Sequence, residues 1–452
     1  MYLHTLPLVA TLAIVATAAA ADGTAPAAAA PTPGISDALR SGKLSLAARY
    51  RYEQVNQRGF ADEAHASTVR LALGYETGAW NGLTAFAQYE GIYRIGQKLF
   101  NDMPPGVAAG DYGRYPRVLD ADGSDLNQAW VRWTGAVSGI KATAKLGRQE
   151  IILLNGRLVG NVAWRQNNQT FDGLTGSVSP LAGLDLPAVA KELTITGAYW
   201  NKVNRITGTD AKGTGVGGVT GANDGVLAGD SGLVSVGTKV PDTLTATAYG
   251  VWLQYRDVPA QSSQTIGLRI EGPTKLDATW SLPWTVEYAK QKDLGNNPNS
   301  YSANFYNAEI GVTWKGIGPR IAYSRLDGGS GSDAFQTPLA TGHAFNGWAE
   351  MFLATPARGL ESWSLSWGGP LPMVAEGLRV QVVGYRFYAQ SGHAHYGDEL
   401  DLNVEYLAKV IDPKLLLGVK IGGFRDDEAE QAGAGVSFKD TVKTSLYAVW
   451  TY

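Results

Sequence analysis

The chain has 452 residues, a formal net charge of −3 and no cysteine. These values exclude a disulfide framework, a thiolate metal site and a lipid-modified cysteine, and the lack of any basic run or stripe argues against a nucleic-acid partner. A 44% hydrophobic fraction with 56 Gly, 13 Trp and 21 Tyr fits a β-rich chain with many turns and aromatic girdles, not a bundle of apolar helices.

Residues 1–21 read as a secretory signal. Leu6–Ala20 is a short apolar run ending in Ala18-Ala19-Ala20, although Met1-Tyr2-Leu3-His4 lack the usual basic residue. The run is shorter than the roughly 20 residues of a spanning helix, which counts against a membrane anchor. Residues 22–40 are rich in Ala and Pro and read as a flexible leader. Residues 41–452 are expected to form one domain.

From residue 44 onward the chain alternates with period 2, the mark of a strand. In Leu44-Ser-Leu-Ala-Ala-Arg-Tyr-Arg-Tyr52, Leu44, Leu46, Ala48, Tyr50 and Tyr52 share one face and Arg49 and Arg51 the other. The pattern returns at 69–75, 129–133, 193–199, 266–270, 284–288, 308–314, 363–367, 400–406 and 446–452. A soluble sandwich could hide such apolar faces, but aromatics cap them, at Tyr75, Trp133, Tyr288 and Trp314, as membrane belts require. A lipid-facing Arg near the midplane costs roughly 2–4 kcal/mol, so Arg49, Arg51, Arg70 and Arg132 are expected to face water. An open sheet edge in lipid leaves unpaired backbone groups, which forces closure. The expected fold is therefore all-β, a transmembrane antiparallel up-and-down barrel of about 18 strands (16–18). The phase is ambiguous over 177–240 and 378–389.

Three connections, 93–124, 203–230 and 327–360, are too long for periplasmic turns and belong at the extracellular rim or inside the lumen. Tyr452, on one face with Leu446, Ala448 and Trp450, resembles the terminal aromatic read by the barrel-assembly machinery. On the inward faces the early strands are mainly basic, with Arg49, Arg51, Arg70, Arg132, Lys141 and Lys145 against Glu53, Glu76 and Glu90. Later strands are mainly acidic, with Glu271, Glu287, Glu309, Asp401 and Glu405 against Arg269. The expectation is a transverse field across the lumen.

Two stretches resemble the alginate export family of outer-membrane proteins. Leu146–Asp172 carries Gly-Arg-Gln, Gly-Arg-Leu, Trp-Arg-Gln and Phe-Asp elements in order, and Phe335–Trp348 is followed by Phe352-Leu-Ala-Thr-Pro356. The resemblance implies a monomeric barrel of about 18 strands that exports a polyanion through a basic lumen. It also implies that Arg148, Arg157 and Arg165 sit near the constriction, where their planar forks match carboxylates. The alternative is that these arginines hold an inward-folded segment, 151–168, by pairing with Glu150 or Asp172. The acidic later strands depart from a simple polyanion conduit.

Other signals are weak. Gly213–Gly218 matches G-x-G-x-x-G without strand–turn–helix context, and Gly328–Asp333 is a single calcium-type repeat that cannot stack. His393 and His395 near Asp398 and Glu399 lack converging ligands, so no metal or other cofactor is expected. An enzymatic barrel needs an oriented nucleophile, and of the histidines only His343 merits testing. The expected function is a non-enzymatic outer-membrane channel passing polar or anionic carbohydrate solutes, in contact with lipid and lipopolysaccharide. A barrel enzyme, or a plugged structural or adhesive barrel, is the alternative.

Overall fold

The computed structural model describes residues 34–452 except 104–109, 184–185, 209–224, 241, 330–332 and 341. Residues 1–33, which hold the expected signal and most of the expected leader, and Gly213–Gly218 lie outside the described residues. Eighteen antiparallel strands close into one barrel. They are β1 (Lys43–Gln57), β2 (Ala64–Glu76), β3 (Leu83–Arg94), β4 (Gly123–Val137), β5 (Ile140–Gln149) and β6 (Thr170–Ser179). Next come β7 (Thr194–Asn204), β8 (Val226–Val240), β9 (Leu244–Leu253), β10 (Ser263–Lys275), β11 (Trp280–Asp293) and β12 (Ser302–Gly311, resumed past Val312 by Thr313–Trp314). The last six are β13 (Gly318–Leu326), β14 (Leu360–Pro370), β15 (Leu378–Tyr388), β16 (His395–Leu407), β17 (Leu415–Asp426) and β18 (Thr441–Thr451).

Each strand pairs with its sequence neighbours, and β1 closes the ring on β18, with Arg51 opposite Tyr447. The Tyr452 N–H donates to the Leu46 carbonyl at 2.7 Å, so the seam is bonded to its last residue. Closure leaves no strand edge to be satisfied in hydrocarbon.

The two ends differ. At the end where β1 begins and β18 ends, connections are short. The β4–β5 turn is Ser138-Gly139, both left-handed (φ 51° and 80°), as a two-residue hairpin requires. Long connections cluster at the other end, which is extracellular by that asymmetry. The three long loops run 95–122, 205–225 and 327–359, each within the span expected from sequence; a fourth inward segment spans 150–169. The end of the leader is more ordered than its composition suggests. Ile35–Arg40 is a helical turn whose Ala38 is buried and accepts from the Gly78 N–H at 2.8 Å.

The outward face is apolar; Leu146, Leu365 and Leu400 are 63%, 64% and 62% exposed. Aromatics on it form two belts. Tyr75, Trp280, Trp314, Trp367 and Tyr452 mark the turn end, and Tyr93, Tyr199, Tyr288, Tyr306 and Trp363 the loop end. Amphipathic rings settle at both membrane interfaces in this way.

The packed core lies inside the ring, at its loop end. Residues 150–169 (the first strap) and the described residues of 327–359 (the second) fold inward. They meet at a Val159–Leu339 bridge, where the Gly160 N–H donates to the Leu339 carbonyl at 3.2 Å. Ile151, Leu153, Val159, Phe335, Leu339 and Phe352 from the straps pack on Phe171, Trp200, Phe305, Phe387 and Phe424 from the wall. A smaller cluster joins Val55, Ala64 and Ala66 to Phe100 and Val118 of the 95–122 loop. The straps explain the ambiguous phase of 378–389. Val383 and Phe387 face inward yet are apolar, because Phe387 meets Phe352 of the second strap at 4.5 Å.

Candidate functional site

Between these clusters, on the inner faces of β16, β17, β18, β1 and β2, the straps meet the wall through charges. Arg51 is 1% exposed and Arg165 2%. A buried ion costs several kcal/mol unless it is paired and bonded, so each such group must find a partner. Arg51 donates to the Asp120 carboxylate and to the Trp164 carbonyl. Asp120 also accepts the Gln166 N–H at 2.9 Å. Arg165 pairs with Glu350 of the second strap and lies 3.5 Å from Glu53 of β1. Lys443 of β18 donates to Glu350 at 2.6 Å. One carboxylate thus ties the first strap, the second strap and the wall together.

An aromatic stack lies beside it. Trp164 is parallel to His343 with ring centroids 4.2 Å apart. Lys420 of β17 sits 4.1 Å above Trp164 and 4.5 Å above Trp348, and its Nζ is 3.0 Å from His343 Nε2. His343 Nδ1 lies 3.3 Å from Glu350. Burial drives the His343 pKa down to about 3, so its ring is neutral. Burial opposes ionisation of Glu350, yet Arg165 and Lys443 outweigh it and hold its carboxyl well below the usual range. Asp120 behaves alike: burial raises it, and Arg51 and Arg165 bring it below its ordinary value.

The second strap approaches the wall closely. Glu399 accepts the Ala349 N–H at 2.7 Å and Asp401 the Trp348 N–H at 3.2 Å. Gly347 is left-handed (φ 87°), and a Cβ there would stand 2.3 Å from a Glu399 oxygen. Gly422 leaves similar room, since a Cβ would lie 2.8 Å from the Ala349 nitrogen. Glu350 itself is held at φ 61°, a conformation costing on the order of 1–3 kcal/mol that its ion pairs offset.

The residues singled out from sequence fall into distinct places. Arg49 donates to Gln166 at 2.7 Å and to the Ala163 carbonyl at 2.8 Å, so it grips the first strap without a carboxylate. Arg70 pairs with Glu90, and Arg132 with Glu76 at 2.7 Å. Lys141 and Lys145 share the inner face of β5, with Lys145 5.2 Å above Trp130. Arg157 is buried at the far side of the first strap. It donates to Ser324 at 2.9 Å between the rings of Phe305 and Phe345, and burial lowers its pKa to about 10, which leaves it charged.

Glu287 and Glu309 are paired with Arg269 at 2.7 Å and Arg320 at 2.8 Å, and Glu405 accepts from Tyr447 at 2.8 Å. The inward acids of β10 to β12 are thus met by local pairs, whereas Glu399, Asp401 and Glu405 of β16 have no cation within 4.0 Å among the described residues. Arg148 and Asp172 depart from the expected position at the constriction. They pair at 2.8 Å on the face of the exposed Leu146 and Leu174, near the loop end and outside the lumen. Of the two alternatives for the arginines, Arg148 thus pairs with Asp172, whereas Arg165 takes Glu350 and Glu53 in place of Glu150.

Glu350, Asp120, Lys420, Lys443 and Trp164 escaped the sequence reading. Alternation on β17 and β18 points Lys420 and Lys443 inward; nothing periodic marks Glu350 or Asp120, which lie in irregular loops.

The alginate export family's model matches residues 41–187. No curated protein matches the sequence. Among solved structures, Pseudomonas aeruginosa OpdK, crystallised with vanillate, aligns with a TM-score of 0.66 at 14% identity, over 92% of this chain and 99% of its own. Acinetobacter baumannii OccAB4 gives 0.66 at 14% identity, over 91% and 98%. P. aeruginosa OccK11 (OpdR) gives 0.62 at 15% identity, over 92% and 97%. At such identities the likeness establishes the fold. The family match covers the first part of the barrel only; with the closed 18-stranded ring and its two aromatic belts it fits an outer-membrane barrel similar to the alginate export family.

Proposed function

We propose that the barrel is a passive channel for polar solutes that favours anions, acidic carbohydrates among them. The observation that carries this reading is a pair of inward lysines on the early-strand wall that no carboxylate neutralises. Among the described residues, Lys141 and Lys145 on the inner face of β5 have no carboxylate within 4.0 Å, whereas Glu287 and Glu309 are paired. Uncompensated cations along a narrow aqueous path lower the barrier for anions. The remaining residues named from sequence have structural parts in this reading: Arg49, Arg51, Arg157 and Arg165 seat the first strap, Asp401 seats the second, and Arg70 and Arg132 stiffen the wall through their pairs.

No catalytic step belongs to the proposal. His343, neutral and stacked on Trp164, acts as a packing group. One chain forms the pore, lipid covers the belts, lipopolysaccharide meets the loop end, and Tyr452, 65% exposed, presents the barrel to its assembly machinery.

Reversal potentials across a KCl gradient in planar bilayers test the reading. The wild type is expected to prefer chloride. The double substitution Lys141→Gln and Lys145→Gln is expected to move the potential toward potassium. A closed wild-type barrel, or an unmoved potential in a conducting variant, contradicts it.

A further inference from the structure

On the turn side of the first strap, the inner wall from β6 to β9 carries hydroxyls where β1 to β5 carry charge. Thr196 of β7 stands directly across from Ser235 of β8, and Thr247 of β9 stands across from Gly237. With Thr194 and Thr245 they form a lattice spaced roughly 5 Å between strands and about 7 Å along them. Gly237 interrupts it with a notch: a Cβ there would lie 3.1 Å from the Thr247 hydroxyl. Among the described residues, the hydroxyls of Thr196, Ser235, Thr245 and Thr247 have no protein partner; neighbouring Thr175 is committed to Gln149 at 2.8 Å.

The strap supplies the opposite surface. Ile152 is 54% exposed, although it sits inside the ring between buried Ile151 and Leu153. With Leu154 it borders a cavity of about 470 Å³ that the hydroxyl wall completes. That volume falls within the roughly 300–1,000 Å³ of ordinary small-molecule sites. The charges at its margin are Glu150, Glu192 and Lys239. Both Glu150 oxygens are taken by Asn161 at 2.8 Å and Asn168 at 2.7 Å. Two carboxylates against one ammonium do not favour an anion. Free hydroxyls both donate and accept, and an aliphatic strip facing them suits a flat C–H surface.

We propose that this cavity is a subsite for an uncharged, hydroxyl-rich ring, a neutral pyranose by its chemistry. The inference rests on the barrel being a channel. It divides the lumen into a cationic wall that sets ion preference and a hydroxyl wall that retains neutral sugar.

The test measures glucose uptake by liposome swelling and ion conductance on the same protein. In the combined variant Thr196→Val, Ser235→Ala and Thr247→Val, each lost hydrogen bond is expected to weaken glucose retention roughly fivefold. Glucose entry should fall severalfold while chloride conductance stays unchanged. Unchanged glucose entry in a conducting variant overturns the subsite and leaves the channel intact. A wild-type barrel that passes neither ions nor glucose overturns the channel reading itself. A second readout needs no variant: glucose should add concentration-dependent current noise to the wild-type channel, and its absence counts against the subsite.

Discussion

In the loop-side half of the lumen Phe352 packs 4.5 Å from Phe387 and 5.9 Å from Phe424, and Arg165, Glu350 and Lys443 are locked to one another. In the turn-side half Lys145 and Thr196 face the aqueous interior, and neither has a partner across it. The same strands build both halves with the same alternation. What differs is whether a strap packs directly on the wall. Where one does, inward positions follow the rules of a protein core, with apolar packing and paired charge. Where none does, water solvates the groups, and charge and hydroxyl are free for solutes.

The sharpest way to break this contrast is to remove the acid that joins the straps. Glu350→Ala leaves Arg165 with Glu53 alone and Lys443 without its carboxylate, a loss of up to about 3–5 kcal/mol. The barrel is expected to stay closed while the second strap leaves its seat. Proteolysis within 327–359 and a larger, noisier conductance would report it; an unchanged conductance and cleavage pattern would contradict the role given to Glu350.

Acid should blur the contrast more gently. His343 is neutral in its seat, with a pKa near 3 against an ordinary 6.5. A released strap therefore binds a proton that the seated one refuses. The stabilisation is full above 6.5 and falls by about 1.4 kcal/mol per pH unit below it. Glu350, also lowered, adds a loss of the same sign below its ordinary 4.5. Flicker of the open channel is expected to grow from pH 6.5 downward, and His343→Gln should flatten the response between 6.5 and 4.5. A wild-type channel equally quiet at pH 7 and pH 4.5 opposes this account.

The smallest effect separates inside from outside. Arg148→Gln should leave ion selectivity unchanged, because the Arg148–Asp172 pair lies on the outer face. A shift comparable to that of Lys145→Gln would return Arg148 to the pore.

Arg148 also shows what the sequence made legible. Strands, their number and the inward set Arg49, Arg51, Arg70, Arg132, Lys141 and Lys145 follow from counting in twos. The same count from Lys145 reaches Gln149 on the lumen face and puts Arg148 on the other. The resemblance around Arg148 suggests the constriction, whereas the alternation puts its side chain on the face of Leu146. The straps resist such counting, since irregular backbone has no period. Arg165 and Glu350 meet across 185 positions through side chains alone, which no local pattern encodes. The acids of β10 to β12 were readable as inward, but their neutralisation by Arg269 and Arg320 depends on cross-strand register, which only the folded ring fixes.

The partition of successive residues between water and lipid can be measured on one strand. The chain has no cysteine, so Lys145→Cys and Leu146→Cys each introduce a single thiol. In reconstituted barrels a membrane-impermeant thiol reagent is expected to modify the first and spare the second, while a lipid-soluble reagent does the reverse. Equal labelling of both sites by the impermeant reagent, or protection of residue 145 alone, would contradict a lumen bounded by alternating side chains.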